Sequence, residues 1–232
     1  MMNETIARTT GPEFQDQLDS FAALGPLELG PSASSVWRTD PRRFPIVLSR
    51  YKFVSKMLVG RASALEVGCG DGFFTRIVGQ TVPFIHGVDY DPSFISWAAK
   101  HAQREGLNER FSVCDMTAGP LEDTYEGAYS LDVIEHVSVN AEDRFIGNIA
   151  QSMVGDGTCI VGTPNITAEA HASKWSKAGH INLKSAETLR DLMERHFRTV
   201  FIFSMNDEVV HTGFSPMAHY LLAVAVGVRR PE

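Results

Sequence analysis

The sequence predicts an α/β protein: a doubly wound, seven-stranded, mostly parallel sheet with an antiparallel C-terminal hairpin. Three observations carry the prediction. First, Ala64–Val67 is a short apolar run bearing one acid, Glu66, and it enters glycines at every second position, Gly68, Gly70 and Gly72. That is the pattern of a buried parallel strand running into a tight turn. Second, short apolar segments alternate with helical patterns from there to residue 162. Third, Glu66, Asp89, Asp115 and Asp132 stand at or near the ends of four of those segments, and ligands bind beyond the carboxyl ends of strands in such sheets.

Composition bounds the answer. The chain has 232 residues, enough for one large domain, with 44% hydrophobic and 21% charged residues and a formal net charge of −7. No lysine- or arginine-rich run is present, which weighs against nucleic acid as a partner. Cys69, Cys114 and Cys159 are far apart and form no CxxC pair, so neither a zinc site nor a disulfide framework is expected, and a reducing compartment fits. Residues Met1–Ser20 lack the apolar core of a signal peptide. The longest apolar stretch, Tyr220–Val228, is too short to span a bilayer. The reading is a cytoplasmic protein without a membrane span.

Taken in order, residues 1–43 read as an N-terminal arm and cap, and residues 44–232 as a single domain. In the arm, Gly11-Pro12, Gly25-Pro26 and Gly30-Pro31 punctuate loops. Phe14, Leu18, Phe21 and Leu24 are spaced for a short helix, with a partly disordered arm as the alternative. Asp40 as a cap and Pro41 at the first position predict a helix that carries Val47, Tyr51, Val54 and Leu58 on one face and stops at Gly60. The first strand and glycine turn lead into a helix from Phe73. Strands are then expected over 83–88, 111–114, 125–131 and 157–162, ending near Asp89, Asp115, Asp132 and Thr163. Helices are expected from Asp91-Pro92 to Arg104, over 141–153 with Phe145, Ile146, Ile149 and Met153 inward, and from Ser185 with Leu189, Leu192, Met193 and Phe197 inward. Residues 165–178 break the rhythm and read as a lid or substrate loop. Val200–Ser204 and 219–228 supply the last two strands, an antiparallel edge.

The glycine pattern separates two cofactors. A dinucleotide site wants G-x-G-x-x-G, whereas this chain reads E-x-G-x-G-x-G from Glu66 to Gly72, with Phe73 where the third glycine would stand. Leu65–Gly72, Gly87-Val88-Asp89-Tyr90-Asp91 and Ser130-Leu131-Asp132-Val133-Ile134-Glu135-His136-Val137 resemble the motifs of class I S-adenosylmethionine-dependent methyltransferases, whose sheet is Rossmann-like. The third motif, with Val161–Asn165 and Gly179–Leu183, is similar to the small-molecule branch that includes ubiquinone-biosynthesis-type O-methyltransferases. The resemblance covers roughly residues 50–203. It implies S-adenosyl-L-methionine as cofactor, with Gly68, Cys69 and Gly70 approaching its methionine end and backbone N–H groups suiting its carboxylate. It implies Asp89 on the ribose hydroxyls, Tyr90 against the adenine, Asp115 on the adenine amino group with Met116 beside the ring, and Leu131 and Asp132 near the ammonium. Arg50 is a candidate for the carboxylate or a surface charge, and Glu66 orders the turn.

Methyl transfer to an oxygen or nitrogen also needs a proton removed. His136, after the fourth strand, is the first candidate base, with packing over the cofactor as its alternative role; His180 is the second. No metal-ligand spacing is visible, so no metal is expected. The expected partner is a small-molecule substrate, and the chain acts as a monomer or homodimer. The rivals are a nucleic-acid or protein methyltransferase, a nicotinamide-dependent oxidoreductase and a non-catalytic binding protein. Asp132-Val133-Ile134-Glu135 stands where adenine-modifying enzymes carry their own motif, which argues against the first. Trp37, Trp175, Phe214 and Tyr220 could line the substrate surface, and Arg38, Arg42, Arg43 or Lys174 could meet an acidic substrate.

Overall fold

The computed structural model describes residues 9–230. Expectations for residues 1–8, and for the Trp175 side chain, lie outside the described residues. The strands are β1 (Ser63–Val67), β2 (Phe84–Asp89), β3 (Glu109–Val113), β4 (Tyr125–Leu131), β5 (Met153–Pro164), β6 (Phe197–Asn206), β7 (Val209–His211) and β8 (Tyr220–Val228). They form one sheet in the order β3-β2-β1-β4-β5-β8-β6-β7. The first five pair in parallel, and β8 runs antiparallel to both β5 and β6. The helices are α1 (Gln15–Leu24), α2 (Pro31–Thr39), α3 (Arg43–Met57), α4 (Thr75–Gly79), α5 (Pro92–Glu105), α6 (Val139–Gln151), α7 (Lys174–Gly179) and α8 (Ala186–His196).

Both faces of the sheet are covered, and β8 shows it by being apolar at every position. Leu65 and Val67 join a core with Phe145 and Ile149 of α6 and Leu189 and Leu192 of α8. Their neighbour Ala64 joins the opposite core, with Val54 of α3, Leu58 beyond it and Val78 of α4. The same alternation runs along β8, where Leu221, Ala223 and Ala225 face one core and Tyr220, Leu222 and Val224 the other. β1 is the switch point: β2 leaves it on one side and β4 pairs on the other. Loops leaving the two strands diverge there and open a crevice at their carboxyl ends.

The strand count is eight, not seven. The additional β7 folds back on β6, with Ser204 opposite His211, through a turn at Asp207, φ +49°. Three residues are too few for a periodic signal. The C-terminal strands do form an antiparallel edge, with β7 outermost. β8 is inserted between β5 and β6, a position that suits a strand apolar on both faces.

Several boundaries also move. α3 begins at Arg43 because Asp40 does not cap it; its carboxylate accepts the Arg42 backbone N–H at 3.2 Å and pairs with the Arg42 guanidinium at 2.8 Å. Residues 71–74 form a turn, so the helix after the glycines starts at Thr75. Met153 opens β5 and Phe197 opens β6 instead of completing helix faces. The apolar stripe of the arm does form α1, but that helix buries no residue. α2 had no local signal: its N-terminus is capped from afar, by the Asp71 carboxylate accepting the N–H groups of Ser32 at 2.7 Å and Ala33 at 3.3 Å. The helix from Ser185 carries a full capping box with Thr188.

Candidate functional site

The site grows from the turn after β1. Gly68, Gly70 and Gly72 all have positive φ, +80°, +53° and +71°. The Gly68 and Cys69 N–H groups donate to the Val88 carbonyl at 2.8 and 3.1 Å, and the Gly70 N–H donates to Asp89 Oδ2 at 3.0 Å. The turn is thus laced onto the end of β2. These three N–H groups already have partners, which corrects the expectation that they would meet an anionic ligand. What the turn offers is bare backbone: a Cβ on Gly68 would lie 2.2 Å from Val133 Cγ2.

Glu66 sits beneath the turn and lines neither cavity of the site. It is buried and accepts hydrogen bonds from Tyr51 Oη at 2.9 Å, Thr75 Oγ1 at 2.5 Å and Tyr129 Oη at 2.8 Å. Burial pushes its carboxyl up to about 7, against the pull of those three donors. It therefore ties α3, α4 and β4 together under the glycines.

Two cavities flank the turn. The smaller, about 300 Å³, includes Asp89, Tyr90, Asp115, Met116, Val133 and Phe145 in its wall. The larger, about 650 Å³, includes Arg50, Cys69, Gly70, Leu131, Asp132 and His180. Gly68 and His136 belong to both. Of the cofactor-contact and base candidates named from sequence, every one except Glu66 therefore reaches this crevice. Within the smaller cavity, Met116, Val133 and Phe145 give apolar walls suited to a flat ring, and acids stand at its mouth. Asp89 Oδ1 accepts the Asp91 N–H at 3.0 Å, and each of its oxygens keeps a lone pair for another donor. Asp115 is exposed and accepts from Thr117 N and Oγ1 at 2.8 and 2.7 Å. Tyr90 is 77% exposed at the rim.

The floor of the larger cavity is ionic. Arg50 Nη1 pairs with Asp132 Oδ2 at 2.6 Å, and its Cζ lies 3.7 Å from the centre of the Tyr220 ring. Asp132 is one of two described non-glycine residues with positive φ, +56°. Backbone strain of this kind concentrates at ligand clamps. Buried Glu135 accepts from Thr163 Oγ1 at 3.1 Å through Oε2, while Oε1 has no hydrogen-bond partner among the described residues. Burial, reinforced by the Asp132 charge, pushes the Glu135 carboxyl up to about 8.

His136 Nδ1 faces the Gly179 carbonyl at 2.9 Å. A carbonyl only accepts, so Nδ1 carries the proton and Nε2 keeps its lone pair. The His180 ring centre lies 5.2 Å from that of His136. Burial, then the neighbouring His136, lower the His180 pKa. Glu135, His136 and His180 present ligand atoms within 4.8 Å of one another, a spacing that a proton or a divalent ion could bridge. Sequence spacing hid this trio because His180 arrives from the far side of the lid.

Other expectations divide. Arg43 and Tyr220 line the larger cavity, while Trp37, Arg38, Arg42, Lys174 and Phe214 do not. Glu135 as a buried wall residue, and Ser32 and Val36 of α2, were not singled out as site residues. For Ser32 and Val36 the only clue is the long-range Asp71 cap.

Comparison with known proteins adds three findings. Residues 64–157 match the family model described as a methyltransferase domain. A probable S-adenosylmethionine-dependent methyltransferase of Mycobacterium tuberculosis is 28% identical over 120 residues, and the match spans 50% of this chain and only 42% of that relative. A ubiquinone biosynthesis O-methyltransferase of Bartonella quintana is 25% identical over 223 residues, covering 86% of this chain and 87% of that one. Among solved structures, an N-methyltransferase of Bradyrhizobium japonicum in complex with S-adenosyl-L-homocysteine superposes with a TM-score of 0.62 at 19% identity, over 84% of this chain and 92% of that one. Among the described residues, no helix is long and apolar enough to cross a membrane.

Proposed function

We propose that this chain, which carries a methyltransferase domain on the Rossmann-like sheet of the class I S-adenosylmethionine-dependent enzymes, moves a methyl group to an oxygen or nitrogen of a small molecule. The observation that carries the reading is the pair of cavities meeting at Gly68 and His136 on the carboxyl edge of the sheet. Bound across them, S-adenosylmethionine supplies an electrophilic methyl group on a sulfonium.

The chain's own residues do the rest. Asp89 accepts from the ribose hydroxyls, and Asp115 accepts from the adenine amino group, with Tyr90 and Met116 against the ring. Asp132 and the Leu131 backbone receive the ammonium, and Arg50 takes the carboxylate that the turn's occupied N–H groups leave to it. Cys69 and Gly70 keep the floor close and bare. The acceptor enters the larger cavity, where His136 Nε2 takes its proton and His180 stands second. The lid, residues 165–178, excludes water.

His136→Ala tests the assignment. Its calorimetric affinity for S-adenosyl-L-homocysteine should stay within about threefold of the parent, while transfer of labelled methyl to a panel of small phenols, carboxylic acids and amines falls by about 10²-fold or more. Unchanged turnover removes His136 as the base, and a parent chain that does not bind S-adenosyl-L-homocysteine removes the function.

A further inference from the structure

Behind His180 lies a buried ionic knot that the site description has not used. Lys184 Nζ donates to Glu142 Oε2 and, at 2.8 Å, to Asn182 Oδ1. Asn182 Nδ2 donates to the same Glu142 oxygen at 2.6 Å and to the Val137 carbonyl at 3.0 Å. All three side chains are buried. The Ile181 and Asn182 N–H groups donate to the Glu135 carbonyl at 2.9 and 3.1 Å, and His136 donates to Gly179. Segment 179–184 is therefore stitched, residue by residue, onto the loop and first turn of α6 that carry Glu135 and His136. The lid's other end closes at the same place: Asn165 pairs with Lys184, and the Ile166 N–H donates to the Lys184 carbonyl at 2.9 Å. An ammonium and a carboxylate are costly to bury unless their partners are fixed; here Lys184 and Glu142 are each other's partners, Asn182 bridges both, and the Lys184 backbone meets the lid's other end.

We infer that Lys184, Glu142 and Asn182 form a clasp that seats lid residues 165–178 and positions His180, just beyond them, against His136. They act through the imidazoles and touch no reacting atom. The inference rests on the proposed acceptor site, yet its test needs no acceptor.

In the full chain, Lys184→Met keeps the stem and removes the charge. Its affinity for S-adenosyl-L-homocysteine should stay within about threefold of the parent. Amide exchange at Ile181 and Asn182 should quicken by about tenfold or more, as local opening there becomes easier. The nuclear Overhauser contact between the His136 and His180 rings should disappear, and Lys184→Arg should restore both signals. A mere staple of overall stability would lower the melting temperature and leave these two signals, read well below the transition, unchanged. A folded Lys184→Met chain with parental exchange and ring contact overturns the clasp. Should Lys184→Met not fold, Asn182→Ala keeps the ion pair and cuts the link to Val137, and parental exchange at Ile181 in that variant overturns it equally. Loss of S-adenosyl-L-homocysteine binding by the parent chain would sink the functional reading instead.

Discussion

Asp89→Asn exchanges one oxygen for an amide nitrogen at the end of β2, and the structure makes it far from conservative. The carboxylate accepts two backbone N–H groups at once, Gly70 on Oδ2 and Asp91 on Oδ1, both at 3.0 Å. Asparagine has a single acceptor oxygen. Whichever way the amide turns, its NH₂ faces one of those backbone donors, so either the glycine turn or the start of α5 loses its tether. The ligand side loses more. Two ribose hydroxyls on an ionised carboxylate contribute about 1.5–3 kcal/mol each, and a neutral hydrogen bond about 0.5–1.5. Replacing two of the first by one of the second removes about 2–5 kcal/mol, or about 30-fold to a few thousandfold in Kd for S-adenosyl-L-homocysteine. Titration calorimetry on parent and variant reads this directly. A variant that folds and binds within about threefold of the parent would refute both the ribose role and the cofactor half of the site.

Gly68→Ala forces an L side chain into φ +80° and drives a Cβ to 2.2 Å from Val133 Cγ2. The left-handed backbone costs about 1–2 kcal/mol and the collision with a stiff β-branched side chain about 1–3. For a chain of this size that lowers the melting temperature by about 4–20 °C, and a differential scan showing a change under about 1 °C contradicts the geometry. Glu66→Gln concerns pH. Burial pushes the folded carboxyl up to about 7 against the ordinary 4.5, so the folded state retains a proton that the unfolded chain releases. The stability associated with Glu66 is thus full below about pH 4.5 and is lost as pH rises through about 7, a swing of about 3 kcal/mol. Urea midpoints of parent and variant at pH 5.5 and pH 8 should show the variant gaining on the parent at the higher pH. Parallel curves would mean that Glu66 is ionised throughout.

How much of this was legible in the sequence follows from the range of the forces involved. The glycine turn, Asp89, Asp115 and Asp132 were legible because a strand, a turn and the next strand end are local features with fixed spacing. The parallel core was legible because strands covered on both faces read as short, mostly apolar runs. The strand count and the place of β8 were not, because pairing partners are chosen by tertiary packing and β7 has only three residues. The start of α3 was misjudged because Asp40 had two local partners to choose from, and the Arg42 guanidinium competed with the helix end. Asp71 capping α2 and His180 meeting His136 are couplings between distant segments, and one sequence holds no trace of them.

That difference in range divides the site itself. The walls of the smaller cavity come from one continuous run, Val67 to Phe145, inside the stretch that matches the methyltransferase model. The larger cavity takes its walls from α2, α3, the lid and β8 as well, and most of these lie outside that stretch. Only Gly68 and His136 serve both. If the proposed function holds, substitutions in α2 or the lid should change which acceptor fits without disturbing the adenosyl end, whereas substitutions at Gly68 should disturb both. On that proposal the acids of the strand ends are the fixed half of the site, and the arm, lid and last strand are the half in which acceptor selectivity is expected to be written.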